Sequence, residues 1–163
     1  EFKLVPTDHI IFSRNVRDLC DQECREHGIH SWSLPPIVGT YEECYERCQK
    51  YPWALLVSAI SMTHDISDFE AWMQAGAEMN TMILQLTEQL NPYPRELPPL
   101  GMRCRRCETC ACPTENCRHP ESLLHATEGY GIHIMNTMEQ EGITGYYDGQ
   151  TIVCFGLIFL QDF

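Results

Sequence analysis

Basic residues are scarce in this 163-residue sequence, in which 11 lysines and arginines stand against 23 aspartates and glutamates for a formal net charge of −12. A negative field of this size repels phosphate backbones and anionic lipid surfaces, so we expect neither nucleic acid nor a membrane as a partner. The longest apolar run, residues 152–160, falls far short of the roughly 20 residues that a transmembrane helix requires. No signal peptide, internal repeat or low-complexity tract is recognisable.

Apolar residues, by contrast, are present in ordinary proportion. They make up 44% of the chain, which is enough to build a core. The length is also that of one typical domain. We therefore expect a single compact domain over residues 1–163.

The strand and helix patterns predict an α+β fold in which helices pack on a small sheet and the cysteine loop lies at one end. The apolar run Trp53–Met62 is typical of a central strand covered on both faces, and the β-branched and aromatic segment Thr151–Leu160 predicts a strand beside it. A stripe of apolar residues at helical spacing predicts a long helix over residues 67–90 that packs on this sheet. A short opening strand is predicted at residues 9–12. The sheet is expected to be small and either mixed or antiparallel.

Local motifs predict where helices begin and where a helix cannot continue. Thr40 with Glu43 and Ser67 with Glu70 have the spacing of capping boxes, and each pair predicts the beginning of a helix. The paired prolines 35 and 36 cannot continue a helix, so extended chain is expected there. Prolines 92, 94, 98 and 99 predict a loop over residues 91–101, and the pair 148–149 predicts a tight turn before the last strand.

The ten cysteines are the strongest chemical signal in the chain. An even number would also suit a secreted disulfide scaffold, but five of them fall between positions 104 and 117. A disulfide-stapled domain normally spreads its cysteines over a shorter chain with less core. The clustering therefore favours a metal site in a reducing compartment, which predicts a cytoplasmic location.

Three of these cysteines form a C-x2-C-x2-C run, Cys104, Cys107 and Cys110, and Cys112 and Cys117 follow. Two-residue gaps let successive thiolates turn inward around a curled loop, as the iron corners of a 4Fe–4S cluster require. The spacing leaves the fourth ligand open between Cys112 and Cys117. Only one residue separates Cys112 from Cys110, too little chain for both sulfurs to reach separate corners, so Cys117 is preferred. We predict a cluster held by Cys104, Cys107, Cys110 and Cys117 in a loop over residues 101–120.

A zinc ion bound by four cysteines is the alternative, because zinc takes the same thiolates at similar spacing. Zinc sites more often consist of two C-x2-C knuckles a dozen or more residues apart, which three evenly spaced cysteines fit less well. His119 beside the motif is either a donor near the site or simply exposed. Neighbouring arginines would stabilise the thiolates or would form a solvated basic loop; they are Arg103, Arg105, Arg106 and Arg118.

Several motifs extend over nearly the whole chain. They are Cys104-Arg-Arg-Cys107-Glu-Thr-Cys110, Cys117-Arg118-His119-Pro120-Glu121, Glu128-Gly129-Tyr130-Gly131-Ile132, the pair Tyr146-Tyr147 and, nearer the start, Leu19-Cys20, Trp32, Pro35-Pro36 and Tyr41-Glu42-Glu43-Cys44. With these motifs the sequence resembles a bacterial and archaeal family of predicted metal-binding proteins of unknown function that is frequent in anaerobes. The resemblance implies a metal-binding protein.

The sequence departs from that family at Leu34, where relatives usually carry a cysteine before Pro-Pro. The resemblance therefore leaves any N-terminal metal site open in this chain. Two pairs of cysteines at i, i+4 spacing are either replacement ligands or small buried hydrophobes; they are Cys20 with Cys24 and Cys44 with Cys48. Cys154 in the last predicted strand is expected to lie in the core.

Three functions are compatible with this sequence. The favoured one is a redox or regulatory module whose cluster passes single electrons to a redox partner protein. It is favoured because no histidine–serine or paired-carboxylate motif stands out near the cysteines. The second is an enzyme with an open iron site near which Cys112 or His119 acts, and the third is a structural zinc domain. The sequence carries no prediction of oligomeric state.

Overall fold

The computed structural model of the protein describes residues 1–90, 96–143 and 149–162. In these ranges one mixed sheet has five strands in the order β1-β2-β5-β3-β4. The strands are β1 Phe2–Pro6, β2 Trp53–Met62, β3 Leu100–Gly101, β4 His125–Ala126 and β5 Thr151–Leu160, and the helices are α1 Arg14–Glu26, α2 Tyr41–Gln49, α3 Phe69–Leu90 and α4 Ile134–Gln140. The predicted α+β fold is therefore confirmed.

The two long strands form the middle of the sheet. β2 pairs antiparallel with β5 along its full length, from Trp53 opposite Leu160 to Met62 opposite Thr151, as the sequence predicts. All ten residues of β5 are buried. β2 is less completely covered than expected, because Ile60 and Met62 near its end are 52% and 72% exposed.

Alternate residues of β5 belong to two cores on opposite faces of the sheet. One core joins β5 to α3 and includes Ile152, Cys154, Ile158, Leu160, Met79 and Ile83. The other joins β5 to α2 and includes Val153, Phe155, Leu157, Phe159, Cys44 and Cys48. Helix α3 lies very close to the sheet at Gly156, because a Cβ atom there would come within 2.6 Å of Ile83 Cδ1.

The two predicted capping boxes have different outcomes. Thr40 and Glu43 form theirs: Thr40 Oγ1 accepts from the Glu43 N–H at 3.2 Å, and Glu43 Oε2 accepts from the Thr40 N–H at 2.7 Å. The box predicted at Ser67 is wrong, because the Ser67 hydroxyl donates to Asp65 Oδ1. Asp68 accepts from the Ala71 N–H at the start of α3 instead. None of the helices in the described part of the chain is long and apolar enough to cross a membrane.

Two other local predictions are corrected. The opening strand is Phe2–Pro6, not residues 9–12, because the chain turns directly after it and the Ile10 N–H donates back to Thr7 O. The segment around Pro35 and Pro36 is not extended but forms consecutive turns, over residues 32–38. Part of the loop predicted from residue 91 and half of the turn predicted at 148–149 lie outside the described residues.

Candidate metal centre

The cysteine loop, residues 101–120, begins and ends at one edge of the sheet. It leaves from β3, passes through a short 3-10 turn at Pro120–Ser122 and rejoins the sheet at β4, which pairs parallel with β3. The Thr127 N–H donates to Gly101 O at 3.2 Å. Because both ends are hydrogen-bonded to each other, the loop is closed at its base.

Helix α3 fixes the first residues of the loop through Asn80. Asn80 Oδ1 accepts from the Met102 N–H at 2.9 Å, and Asn80 Nδ2 donates to Met102 O at 3.1 Å. Only glycine fits at position 101 beside this contact, since a Cβ atom there would lie 2.7 Å from Asn80 Oδ1. No motif marks Asn80 in the sequence, because its partners are backbone groups 22 residues away.

The turn that contains Ser31, Trp32 and Ser33 packs against the other side of the loop. Ser33, which is fully buried, accepts a hydrogen bond from the Cys104 N–H at 3.2 Å. Trp32 Nε1 donates to Glu115 O at 3.2 Å. The sequence indicates only that a helix cannot continue through this segment, but in the structure it forms a wall of the candidate site.

Four cysteines of the loop surround one cavity. Cys104, Cys107, Cys110 and Cys117 all line it, and each is partly exposed. Cys112 is buried and is absent from the lining formed by the described residues. The other residues that line the cavity include Ser31, Trp32, Arg106, Arg118 and His119. Among the residues that the structure describes, no acidic side chain lines it.

The thiols of this cavity influence one another. Burial raises the pKa of Cys104, a hydrogen bond from the Arg106 backbone N–H opposes this, and the neighbouring charges of Cys117, Cys110 and Cys107 raise the pKa further. Four thiolates this close repel one another unless a cation lies between them.

Three hydrogen-bond donors surround the Cys110 thiol. Burial acts to raise its pKa, but hydrogen bonds from the backbone N–H groups of Cys112 and Trp32 and from the Ser31 side chain, together with the charge of Arg118, bring the pKa of Cys110 below its ordinary value. These donors stabilise the thiolate, which is the form that binds metals.

The donor set fits a metal bound by thiolates. Four soft sulfur ligands with N–H donors and guanidinium groups around them suit an iron–sulfur cluster or zinc. Among the described residues, no three histidine, cysteine, aspartate or glutamate side chains converge closely enough to hold a single metal ion.

The flanking residues singled out in the sequence occupy different positions. Arg118 Nη1 donates to Thr109 O at 3.0 Å and so holds two parts of the loop together. His119 lines the cavity, with Nδ1 3.7 Å from Glu121 Oε1. Arg103 and Arg105 line a second cavity, next to α3.

The cysteines of α1 and α2 do not line the thiol cavity. Cys44 and Cys48 are fully buried in the core between α2 and the sheet. Cys24 packs with Leu34, and the half-buried Cys20 lies beside them. Burial raises the pKa of Cys20 to about 12 and raises the pKa of Cys48 as well. Cys154 is 1% exposed, as expected for a core residue.

A buried arginine next to these helical cysteines was not foreseen from the sequence. Arg17 is 5% exposed and donates to Gly129 O at 2.8 Å and Gly39 O at 2.6 Å. Its Nη1 lies 3.8 Å from Cys44 Sγ, and Arg47 Nη2 lies 3.2 Å from the same sulfur. Arg17 therefore ties α1 to two loops. Nothing in the local sequence distinguishes it from the exposed arginines of α1.

Comparison with known proteins gives one match. The model of a protein family described as "Predicted metal-binding protein (DUF2284)" matches residues 3–160. No curated protein and no solved structure matches the chain.

Proposed function

Because this chain belongs to the family of predicted metal-binding proteins, we propose that its metal is a 4Fe–4S cluster held by Cys104, Cys107, Cys110 and Cys117. The observation that carries the proposal is that these four thiols line one cavity that Cys112 does not share. A zinc ion would draw four sulfurs to about 3.8 Å from one another, given Zn–S bonds of about 2.3 Å. A cubane cluster instead keeps its ligands at separate corners of an inorganic core. The even C-x2-C-x2-C spacing of Cys104, Cys107 and Cys110 favours the cluster over zinc.

The surroundings of the thiols suit a redox role. A bound 4Fe–4S cluster accepts and releases single electrons, and its potential depends on charge, burial and hydrogen bonds to sulfur. Here the N–H groups of Cys112 and Trp32 donate to Cys110, and Arg106 and Arg118 line the cavity. Each of these interactions favours added negative charge and thereby raises the reduction potential.

The position of the loop suits electron exchange with another protein. Glu108 and Thr109 at the loop tip are exposed, and Cys107 just before them is partly exposed. A cluster held here lies near the surface, within reach of a docked redox partner protein. Because such ligands must stay reduced before the cluster assembles, we place the protein in a reducing compartment such as the cytoplasm.

The test is anaerobic purification followed by the visible spectrum and by iron, sulfide and zinc analysis. We expect a brown protein with about four iron and four sulfide per chain that dithionite bleaches reversibly. Cys107→Ala should lose the colour, because Cys107 is one of the four lining thiols. Cys154→Ala is the matched control: it removes a buried thiol of β5 and should leave the colour unchanged.

A colourless wild-type protein with one zinc per chain would replace the redox proposal with a structural zinc domain. Equal loss of iron in Cys107→Ala and Cys154→Ala would show that metal content follows folding alone, which would contradict the proposed ligand set.

A second candidate, a cluster-dependent enzyme, is favoured by one observation. The larger cavity next to α3 shares Cys104 and Arg106 with the thiol cavity, so a small molecule in it would lie beside the cluster. An enzyme of this type needs an iron with no protein ligand, by analogy with catalytic zinc. Cyanide added to the brown protein should then change its spectrum, whereas a cluster with four cysteine ligands should not respond.

A further inference from the structure

A cavity lies between α3 and the start of the cysteine loop. Its volume is about 430 Å³, within the range of sites that take small molecules. Cys104 and Arg106 form part of its wall and part of the wall of the thiol cavity. The two cavities are therefore neighbours, and the electron-transfer role proposed above does not use the larger one.

One side of this cavity is apolar and partly aromatic. The apolar residues are Phe69, Trp72, Met73 and Leu84 of α3, Met102 of the loop, and Leu124 just before β4. Phe69 is 68% exposed although it belongs to the apolar stripe that the sequence marks as core-facing. Gly76 adds no side chain to the floor of the cavity. The position is open, since a Cβ atom there would lie 3.8 Å from the nearest atom, in Met102. The surface suits the body of an organic molecule.

The other side of the cavity is cationic. Arg103, Arg105 and Arg106 line it, and no acidic side chain does so among the described residues. None of the three forms an ion pair with a carboxylate in that part of the chain, although the protein has 23 acidic residues. Three guanidinium groups without a carboxylate partner among the described residues create a local positive potential in an otherwise negative molecule.

Arg103 is the most specific sign of a missing ligand. Its Nε atom is buried and has no hydrogen-bond partner among the described residues. A buried donor left unpaired is costly, so such groups usually have a function or an unseen partner. Arg105 is held nearby, with Cζ 6.0 Å from the centre of the Phe69 ring.

We propose that this cavity binds a small organic anion: an apolar, partly aromatic body lies against Trp72 and Met73, and one carboxylate or phosphate group accepts hydrogen bonds from Arg103 and Arg105. Arginine is the side chain best suited to such oxyanions, because its planar donors match their geometry. The site does not depend on which metal the thiols hold.

The test uses a pair of fluorescent probes with similar aromatic bodies, the anionic 8-anilino-1-naphthalenesulfonate and the neutral N-phenyl-1-naphthylamine. Each is titrated into the protein as purified, with metal content and near-UV circular dichroism measured for every variant. Arg103→Gln should weaken binding of the anionic probe about ten-fold, as expected for a lost charge-assisted hydrogen bond, and should change the neutral probe by less than about two-fold. Ala77→Trp, which fills the cavity from an exposed position on α3, should weaken both probes.

Arg25→Gln is the matched control, since it removes the same charge from an exposed position on α1. Equal effects of Arg25→Gln and Arg103→Gln on the anionic probe would overturn the anion site, because they would reflect net charge alone. Unchanged probe binding in Ala77→Trp would also overturn it. Displacement by 2-naphthoate or by naphthyl phosphate would identify the oxyanion, whereas displacement by hexaglutamate alone would assign the cavity to an acidic protein segment instead.

Discussion

Most of the cysteines of helices α1 and α2 differ in burial from the cysteines that line the loop cavity; Cys20 is the exception. The loop thiols that line the cavity are partly exposed and have N–H donors and arginines around them. Cys44 and Cys48 are fully buried within a hydrophobic core, and Cys24 is nearly so. Spacing explains the difference. Cysteines at i, i+4 on an amphipathic helix share the face that turns toward the core, whereas C-x2-C-x2-C in an irregular loop lets sulfurs turn toward a common space.

Cys112 shows that environment, not position in the loop, separates the two classes. It belongs to the cysteine loop, yet it is 7% exposed, and burial raises its pKa. It therefore resembles the helical cysteines more than its neighbours. If the comparison is correct, Cys112 should behave in experiments as a core residue.

The largest expected effect is the contrast between Cys117→Ala and Cys112→Ala. Cys117 lines the thiol cavity and Cys112 does not, so Cys117→Ala should lose most of the bound metal. Cys112→Ala should keep its metal, but its free energy of unfolding should fall by about 1–2 kcal/mol because the substitution leaves a small cavity in the core. The measurement is metal content after anaerobic purification, with urea unfolding of both variants. Loss of metal in Cys112→Ala alone would exchange the two residues in the ligand set. A complete cluster in both variants would instead support an open iron site and hence the enzyme.

The sequence predicts this comparison only in part. The motif, the strands β2 and β5 and the box at Thr40 with Glu43 follow from local spacing, and local spacing is what a sequence displays directly. Asn80 and Ser33 do not, because they act on the backbone of a loop that is distant in the chain. Side chains that hold a site through backbone contacts have no characteristic spacing.

The errors have a related cause. Ser67 and Glu70 satisfy the capping pattern, but Asp65 and Asp68 compete for the same hydrogen bonds. A pattern of residue types cannot say which of several nearby acceptors the backbone geometry favours. Phe69 belongs to an apolar stripe by spacing, yet it is 68% exposed and lines the cavity between α3 and the cysteine loop.

A second, smaller effect is the pH dependence of stability that arises from a buried histidine of the core. His125 is 8% exposed and lies 2.8 Å from the Tyr130 hydroxyl. Burial, with a contribution from Arg47, lowers the pKa of His125 from 6.5 to about 4. At pH values between these two pKa values, His125 is therefore protonated in the unfolded chain but not in the folded chain. Stability should be full above pH 6.5 and should fall by about 3 kcal/mol as the pH drops to 4.

The measurement is urea unfolding of the wild type and of His125→Gln at pH 7.5, 6 and 5. Protonation of thiolates or carboxylates contributes to both proteins, so the difference between them isolates His125. We expect the wild type to lose about 2 kcal/mol more than the variant between pH 7.5 and 5. If the free energy of unfolding changed equally with pH in both proteins, the pKa of His125 would not be lowered in the folded state.

The smallest effect should come from Cys48, one of the two fully buried cysteines of α2. It is 0% exposed and packs among the apolar side chains between α2 and the sheet. Cys48→Ala should reduce the free energy of unfolding by about 1 kcal/mol, because it leaves a small cavity, and Cys48→Val should restore part of the loss because it refills the space. Metal content should stay at the wild-type level in both variants. Loss of metal without loss of stability would place Cys48 in a second metal site. The contrast between loop and helical cysteines would then fail at a fully buried residue.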